Sequence, residues 1–202
     1  MHLNRTVFLI LTGTAISHQA AAQSAQAISI QFSGLYNGVF GDVFSNLKDG
    51  FGGEAQLRYT PSALSIGAGF QYTVHKRPPL QPGEPDEARL YGGFVEPRYR
   101  IHTGSNVVAP YVSARFSLLK VGFSGSGGSF SLSSSFIQLN AGGGLLYRMG
   151  PRVNLDMGAT FGYNRLGDGT LTNEATGQGR FVPASSGSNL VLRFGFAVGL
   201  GG

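Results

Sequence analysis

The sequence predicts an all-β fold, an eight-stranded antiparallel up-and-down transmembrane β-barrel. Only 12% of the 202 residues are charged, about half the share found in an ordinary soluble domain. Beyond its first residues, the chain has no apolar run long enough for a helical membrane span. Instead, polar and apolar residues alternate with a period of two in eight successive segments, which is typical of strands with one apolar face. The 32 glycines show no collagen period, and the absence of cysteine excludes a disulfide scaffold.

The first 22 residues are typical of a secretory signal peptide. Arg5 supplies the positive charge, and residues 7–16 form an apolar run that is too short to cross a bilayer. Three alanines at 20–22 give the small-residue pattern that precedes a cleavage site. We therefore expect a signal peptide at 1–22 and a barrel domain at 23–202.

The alternation predicts eight strands, each long enough to span a membrane at a tilt. The clearest segment begins at Val153, where Asn, Asp, Gly and Thr interleave with Leu, Met, Ala and Phe. The predicted strands are 27–44, 51–60, 64–76, 89–103, 107–123, 135–149, 153–166 and 189–200.

The connections between these strands alternate in length. Three are tight, at Pro61-Ser62, Gly104-Ser105 and Gly150-Pro151, and Gly104-Ser105 suits a two-residue type II′ hairpin. The other four, at 45–50, 77–88, 124–134 and 167–188, are longer and polar. All short turns then lie at one end of the barrel and all long loops at the other, as in bacterial outer-membrane barrels. We expect both termini on the periplasmic side.

A soluble barrel has its apolar face inside, whereas a membrane barrel has its apolar face outside. The two predictions therefore differ in which face of the strands points outward. The polar face is rich in glycine and has no lysine along its middle, which suits a narrow barrel interior better than a solvated surface. The other face has no charge in its middle, and a charge there would cost several kcal/mol in lipid. We therefore expect Phe70, Phe161 and Phe194 outside and Arg58 and Arg193 inside. Tyrosines near both ends of the apolar face predict interfacial girdles.

Two segments carry a resemblance to a known family. Residues 93–100 (GFVEPRYR) and 109–116 (APYVSARF) are similar to the fourth and fifth strands of the small outer-membrane barrels of the opacity, OmpA-transmembrane-domain and OmpX type. The last strand, with Arg193 and Gly195 before Val198 and Leu200, resembles the signal read by the barrel-assembly machinery, although the chain ends in two glycines rather than an aromatic residue. The resemblance implies an outer-membrane location and a non-enzymatic structural or surface-interaction role through the extracellular loops.

Charged residues on the inward face predict a network across the lumen. Buried charges must be paired and hydrogen-bonded, so one interpretation is a polar plug that organises the barrel. The other is a narrow porin that prefers anions, because six arginines face three acids. The predicted members are Glu54, Arg58, Glu96, Arg98, Arg100, Arg115, Arg148, Asp156 and Arg193.

A second group of basic residues lies towards the long loops and predicts contact with lipopolysaccharide phosphates. The alternative is a solvated fringe. Loops on a rigid barrel are also common places for a binding partner. The predicted rim consists of Lys48, Lys76, Arg77, Lys120, Arg165 and Arg180.

Catalysis is a weaker third hypothesis, because some barrels of this size modify lipids. His75 is followed by Lys76-Arg77, and His102 precedes a turn at the opposite end of the barrel, so neither has a nucleophile beside it. The sequence thus predicts no enzyme, no metal and no cofactor. It also predicts no nucleic-acid partner, because the basic residues are divided between lumen and rim.

Overall fold

The structure, a computed structural model, describes residues 27–78, 86–125 and 128–200. The predicted signal peptide and most of the predicted long connection at 77–88 lie outside the described residues. Within the described residues, no helix has the length and apolar character needed to cross a membrane. Ten strands and one 3-10 helix are present in the described residues: β1 Ile28–Phe40, the 3-10 helix Asp42–Phe44, β2 Gly50–Tyr59, β3 Leu64–Lys76, β4 Glu87–Arg100, β5 Val108–Gly125, β6 Gly128–Arg148, β7 Val153–Leu166, β8 Gly169–Asn173, β9 Gly179–Val182 and β10 Ser185–Leu200.

Eight of these strands close into an antiparallel barrel, which confirms the predicted fold class. Strands β1 to β7 and β10 each pair with two other strands of the barrel. Strand β10 lies between β1 and β7, and a β5–β6 pairing completes the circle. We call the end that carries residues 60–63, 101–107 and 149–152 the turn end, and the opposite end the loop end.

Side chains alternate between the outer surface and the interior as predicted. Phe70, Phe161 and Phe194 are 52%, 57% and 55% exposed on the outer surface, whereas Arg58 and Arg193 are 3% and 6% exposed. This arrangement excludes the alternative in which the apolar face points into the barrel and the polar face points to solvent. The exposed tyrosines lie near both ends of the outer surface: Tyr59, Tyr99 and Tyr147 at the turn end, and Tyr72 and Tyr163 towards the loop end.

The prediction of a two-residue turn at Gly104-Ser105 is wrong. Gly104 does adopt a positive φ of 74°, but the Ser105 hydroxyl accepts hydrogen bonds from the N–H groups of Val107 (3.2 Å) and Val108 (3.1 Å). These bonds hold a longer turn, from 101 to 107. A two-residue turn would place Glu96 opposite Ser113. The longer turn shifts the register of β4 against β5 by two residues and brings Glu96 level with Arg115.

Two of the predicted long loops contain strand structure. Residues 124–125 and 128–134 belong to strands rather than to a loop, because β5 and β6 remain paired beyond Val121 and Leu132, after a bulge between Leu119 and Val121. The segment 167–188 contains the β8–β9 hairpin, and β8 adds to the extended edge of β6. The wall of the barrel is therefore taller on this side than the sequence predicts.

The first strand ends four residues earlier than predicted. Gly41 has a φ of 92°, and a Cβ there would lie 3.0 Å from the Cα of Gly187, so the chain can turn sharply at this point. The 3-10 helix that follows carries Phe44 into the interior, where it is 4% exposed.

Candidate functional site

Seven of the nine sequence-predicted lumen residues meet near the barrel axis, and we call them the charge network. They come from β2, β4, β5, β7 and β10, and each is less than 7% exposed. Their positions follow from the period of two, which directs every second residue of these strands inward. The network consists of Glu54, Arg58, Glu96, Arg98, Arg115, Asp156 and Arg193.

Glu96 is the centre of the network. Its Oε1 accepts a hydrogen bond from Arg98 Nε at 2.7 Å, and its Oε2 accepts one from Arg193 Nη1 at 2.9 Å. Arg115 also donates to Oε2, through Nε at 2.9 Å and through Nη2. A fourth guanidinium group, that of Arg58, has Nη2 3.6 Å from Oε1. One carboxylate thus organises four arginines from four strands, and all four side chains are desolvated.

The other two carboxylates connect the same arginines into one unit. Arg115 Nη1 lies 2.6 Å from Glu54 Oε2, so this side chain bridges Glu54 and Glu96. Asp156 accepts from Arg98 Nη1 at 2.8 Å, from the Tyr111 hydroxyl at 2.6 Å and from Gln31 Nε2 at 2.5 Å. Four guanidinium groups against three carboxylates leave a formal charge of +1 in the network.

Aromatic rings and glycines shape the space around these charges. The guanidinium carbon of Arg98 lies 4.4 Å from the ring centre of Tyr111, and that of Arg115 lies 3.9 Å from the ring centre of Phe94. Such cation–π contacts are strongest where water is excluded. A Cβ at Gly158 would fall 2.6 Å from the Tyr111 hydroxyl oxygen. Glycine on β7 therefore makes room for Tyr111.

The structure places the two remaining predicted residues elsewhere. Arg100 and Arg148 are half-buried at the turn end, where they reach the carbonyl oxygens of Ser62 and Gly150 at 3.4 Å. Asp156 is diagonal to Arg148 in the β6–β7 register, but its carboxylate contacts the arginines of β4 and β10. The positive excess near the axis is therefore smaller than the sequence suggests.

A layer of buried amide side chains lies between the charge network and the loop end. Asn189 accepts hydrogen bonds from Asn140 and Asn164, both at 3.0 Å, and donates to Asn37 at 2.9 Å. Nearer the charges, the Gln71 amide donates to Gln138 at 3.2 Å. We call these six residues the amide layer: Asn37, Gln71, Gln138, Asn140, Asn164 and Asn189.

The two histidines considered for catalysis are far apart. His75 is fully buried, with Nδ1 3.0 Å from the Lys48 carbonyl oxygen and Nε2 3.3 Å from both Asn37 Nδ2 and Thr73 Oγ1. His102 is exposed at the turn end. Within the described part of the chain, no three His, Asp or Glu side chains are grouped as a metal site requires.

Little space remains in the middle of the lumen. Cavities of about 10 Å³ flank the charge network, one beside Ser29 and Asn154 and one beside Gln138 and Thr160. A cavity of roughly this size holds about one water molecule. Side chains therefore fill the interior from the turn end to the amide layer.

A much larger cavity opens at the loop end, and we call it the mouth cavity. Its volume is about 390 Å³, and its floor includes Phe44 and Phe136, whose ring centres are 6.0 Å apart. Its other apolar lining residues are Val43, Leu47, Leu90, Val121, Phe123, Leu132, Leu166, Leu171, Phe181, Val182 and Pro183. Sequence reasoning missed this site because it treated the whole inward face as polar. The signal was present in the adjacent apolar residues Leu118-Leu119 and Phe136-Ile137, where the alternation breaks down.

The predicted basic rim is divided between two surfaces. Lys120 and Arg165 are exposed on the outer surface of the barrel, near the loop end. Arg77 and Arg180 instead line the mouth cavity, and Arg77 lies 6.0 Å from the ring centre of Phe123. Lys48 and Lys76 are exposed beside the first and second loops.

A hydrogen-bonded carboxylate fixes the first loop at the same end. Asp49 accepts from the Tyr36 hydroxyl at 2.5 Å and from the Val39 N–H at 3.2 Å. The Tyr36 bond, followed by that from Val39, lowers the pKa of Asp49 because both donors stabilise the charged form.

Neither a protein-family model nor a curated protein matches this sequence. Among solved structures, Neisserial surface protein A (NspA) is similar at a TM-score of 0.62 and 22% identity, over 86% of this chain and 97% of that one. The outer membrane protein OprG from Pseudomonas aeruginosa gives 0.59 and 11%, over 88% and 97%. A major outer membrane protein from Thermus thermophilus gives 0.51 and 14%, over 85% and 98%. At these identities the likeness concerns the fold, and the fold of this chain is that of the small eight-stranded outer-membrane barrels.

Proposed function

We propose that this protein is a non-enzymatic barrel of the bacterial outer membrane, exported by a signal peptide at 1–22, that acts on the cell surface through its loop end. In this role the barrel is a closed, rigid support. A narrow porin for small solutes or anions is the second candidate. Lipid-modifying catalysis is a distant third, because His75 and the Thr73 hydroxyl beside it are both buried inside the barrel, away from the lipid-facing surface.

The charge network is the observation that carries this proposal. Arg115 bridges Glu54 and Glu96 across the axis, and Arg193 contacts the same two carboxylates. A solute could pass only if such pairs separated, and breaking a buried pair costs about 3–5 kcal/mol. A scaffold that is closed at its middle leaves the loop end as the surface available for interactions.

Single-channel recording in planar lipid bilayers tests the closed lumen. We expect the wild-type protein to give no conductance steps. The double variant Glu96→Ala and Arg115→Ala removes the bridging pair and is expected to conduct, which shows that the assay detects an open barrel of this size. Regular anion-selective steps from the wild-type protein would overturn the proposal in favour of the porin.

Cysteine labelling tests the orientation, because the chain contains no cysteine of its own. Ala175 lies in the β8–β9 connection and Asn106 in a turn at the opposite end, and both are exposed. We expect a membrane-impermeant maleimide to label Ala175→Cys on intact cells and to label Asn106→Cys only after the outer membrane is permeabilised. The reverse pattern would contradict the orientation.

The basic residues on the outer surface support contact with lipopolysaccharide. Lys120 and Arg165 project beside the level of the loop-end tyrosines, where anionic head groups would lie, and each such contact contributes about 1 kcal/mol. Binding of lipopolysaccharide to the barrel in neutral vesicles should weaken in the variant Lys120→Gln/Arg165→Gln, and most clearly at low salt. Arg152→Gln at the turn end is the matched control. Equal binding by all three proteins would contradict this contact.

A further inference from the structure

We infer that the mouth cavity is a binding site for an anionic amphiphile with a single aliphatic chain, such as a long-chain fatty acid. This inference deepens the proposed function, because it names a ligand class for the loop end. It rests on three features of the cavity: its size, its lining and the charges on its rim.

The size and depth of the cavity fit a small ligand. Its volume of about 390 Å³ lies within the range of about 300–1,000 Å³ that is typical of ligand pockets. The buried side chains of Leu90, Leu132, Phe136 and Leu166 line it, and the polar amide layer lies below them. The aliphatic part of a ligand can therefore enter from the loop end but cannot continue into the lumen.

Most of the residues that line the cavity are apolar. The 3-10 helix, the ends of β4 to β7 and the β8–β9 hairpin all contribute hydrophobic side chains. The free energy falls when an apolar group covers apolar surface that would otherwise contact water. Aliphatic chains are flexible and can follow an irregular wall made of Leu, Val and Phe.

The charges on the rim select the head group. Arg77 and Arg180 line the cavity, with Asp42 as the acidic residue of the lining. Arg180 is exposed, so its guanidinium can reach a carboxylate or phosphate outside the apolar part. Arginine recognises such groups through two parallel hydrogen bonds. The cavity therefore complements an anionic head group attached to an apolar tail.

A single-tryptophan variant makes this inference testable, because the chain contains no tryptophan. Phe181 lines the cavity and is 67% exposed, so Phe181→Trp places a fluorescent reporter at the site. The barrel is reconstituted in phosphatidylcholine vesicles and titrated with a dibrominated long-chain fatty acid, which quenches tryptophan on contact. We expect saturable quenching with one ligand per barrel.

A reporter on the outer surface separates the cavity from the bilayer as the source of quenching. Phe194→Trp lies in the apolar band at the middle of the outer surface, where quenching should rise in proportion to the fatty acid dissolved in the membrane, without saturation. If Phe181→Trp showed the same unsaturated behaviour, the inference would be overturned.

Two further variants test the lining and the head-group contact in the Phe181→Trp background. Val182→Glu places a carboxylate on the wall and should abolish saturable quenching. Arg180→Gln should weaken binding by roughly two- to fivefold, the effect of losing an exposed ion pair, whereas Arg152→Gln at the turn end should leave it unchanged. A neutral brominated alcohol of the same length should bind more weakly than the acid. Equal affinity for the acid and the alcohol would contradict the inference that the site recognises an anionic head group.

Failure of these titrations would be distinct from failure of the proposed function. The conductance and labelling experiments measure the lumen and the orientation, and neither depends on a ligand in the mouth cavity. A closed, correctly oriented barrel without saturable quenching would retain the proposed function and refute this inference.

Discussion

Removing the charge of Glu96 tests whether the charge network stabilises the fold as one unit. In Glu96→Gln, four guanidinium groups would share the two remaining carboxylates, and the formal charge of the network would rise from +1 to +2. Loss of one partner from a buried ion pair costs about 3–5 kcal/mol. Because glutamine keeps the shape of the side chain and one acceptor oxygen, we expect the lower end of that range.

A surface acid provides the matched control for this experiment. Glu87 pairs with Arg89 at 3.6 Å, and both side chains are more than one third exposed. Such a pair contributes less than about 1 kcal/mol, so Glu87→Gln should leave the free energy of unfolding almost unchanged. Equilibrium unfolding in urea, with the barrel in lipid vesicles, measures both variants under the same conditions.

A double variant shows whether the loss arises from unbalanced charge. Arg58 has its guanidinium 3.6 Å from Glu96 and donates to Gln56 and Ser65. Glu96→Gln combined with Arg58→Gln restores the formal charge of +1 and should cost less than the sum of the single variants, by about 0.5–3 kcal/mol. If Glu96→Gln were as stable as Glu87→Gln, or the double variant strictly additive, the network could not be the cooperative unit described above.

Two other predictions concern packing and pH. Gly158→Ala should lower the free energy of unfolding by about 1–3 kcal/mol, because the new methyl group would lie 2.6 Å from the Tyr111 hydroxyl oxygen. In the same urea titration Gly122→Ala should be nearly neutral, because the nearest atom to its new methyl group is 3.8 Å away. Asp49, whose folded-state pKa is lowered from 3.8 by its hydrogen bond from Tyr36, should stabilise the first loop fully above that value and lose this contribution as the pH falls through the folded-state pKa. Amide hydrogen exchange in this loop should therefore show an acid-induced opening in the wild type that is absent in Asp49→Asn, and identical pH profiles would contradict the assignment.

The sequence could predict which face of each strand points outward. The reason is that placing a charge in lipid costs much more than placing it in the lumen, and this difference applies at many positions. A charge on the lipid-facing side of a strand costs several kcal/mol in the middle of the bilayer. The absence of charge from the middle of the face that carries Phe70 and Phe194 therefore identified the outer face without any structure. The same period of two identified the inward residues Glu54, Glu96, Arg98 and others that form the charge network.

The partners within the network could not be predicted because they depend on register. A single side-chain contact, the Ser105 hydroxyl bound to the N–H groups of Val107 and Val108, lengthens one turn and moves Glu96 from Ser113 to the level of Arg115. Such a bond contributes only about 1 kcal/mol, and nothing in the local composition distinguishes the longer turn from a tight Gly-Ser hairpin.

The mouth cavity was missed for a different physical reason. Ser and Gly in the segment 124–134 are typical of loops, but the neighbouring strand edge supplies backbone partners that hold β6 extended through this segment. Phe44 reaches the cavity only because Gly41 turns the chain inward. Hydrophobic residues from seven separate elements meet there, and no local sequence pattern shows that they do.

The energy of the charge network also limits how often a closed barrel could open by thermal motion. Withdrawing Arg115 from the axis separates it from both Glu54 and Glu96. At about 3 kcal/mol for even one buried pair, and a factor of ten in population for roughly every 1.4 kcal/mol, fewer than about one barrel in a hundred would be open at any moment. Separation of both pairs lowers this population further. Rare, brief openings would therefore remain compatible with a closed support, whereas sustained conductance would require a conformation in which these side chains have found other partners.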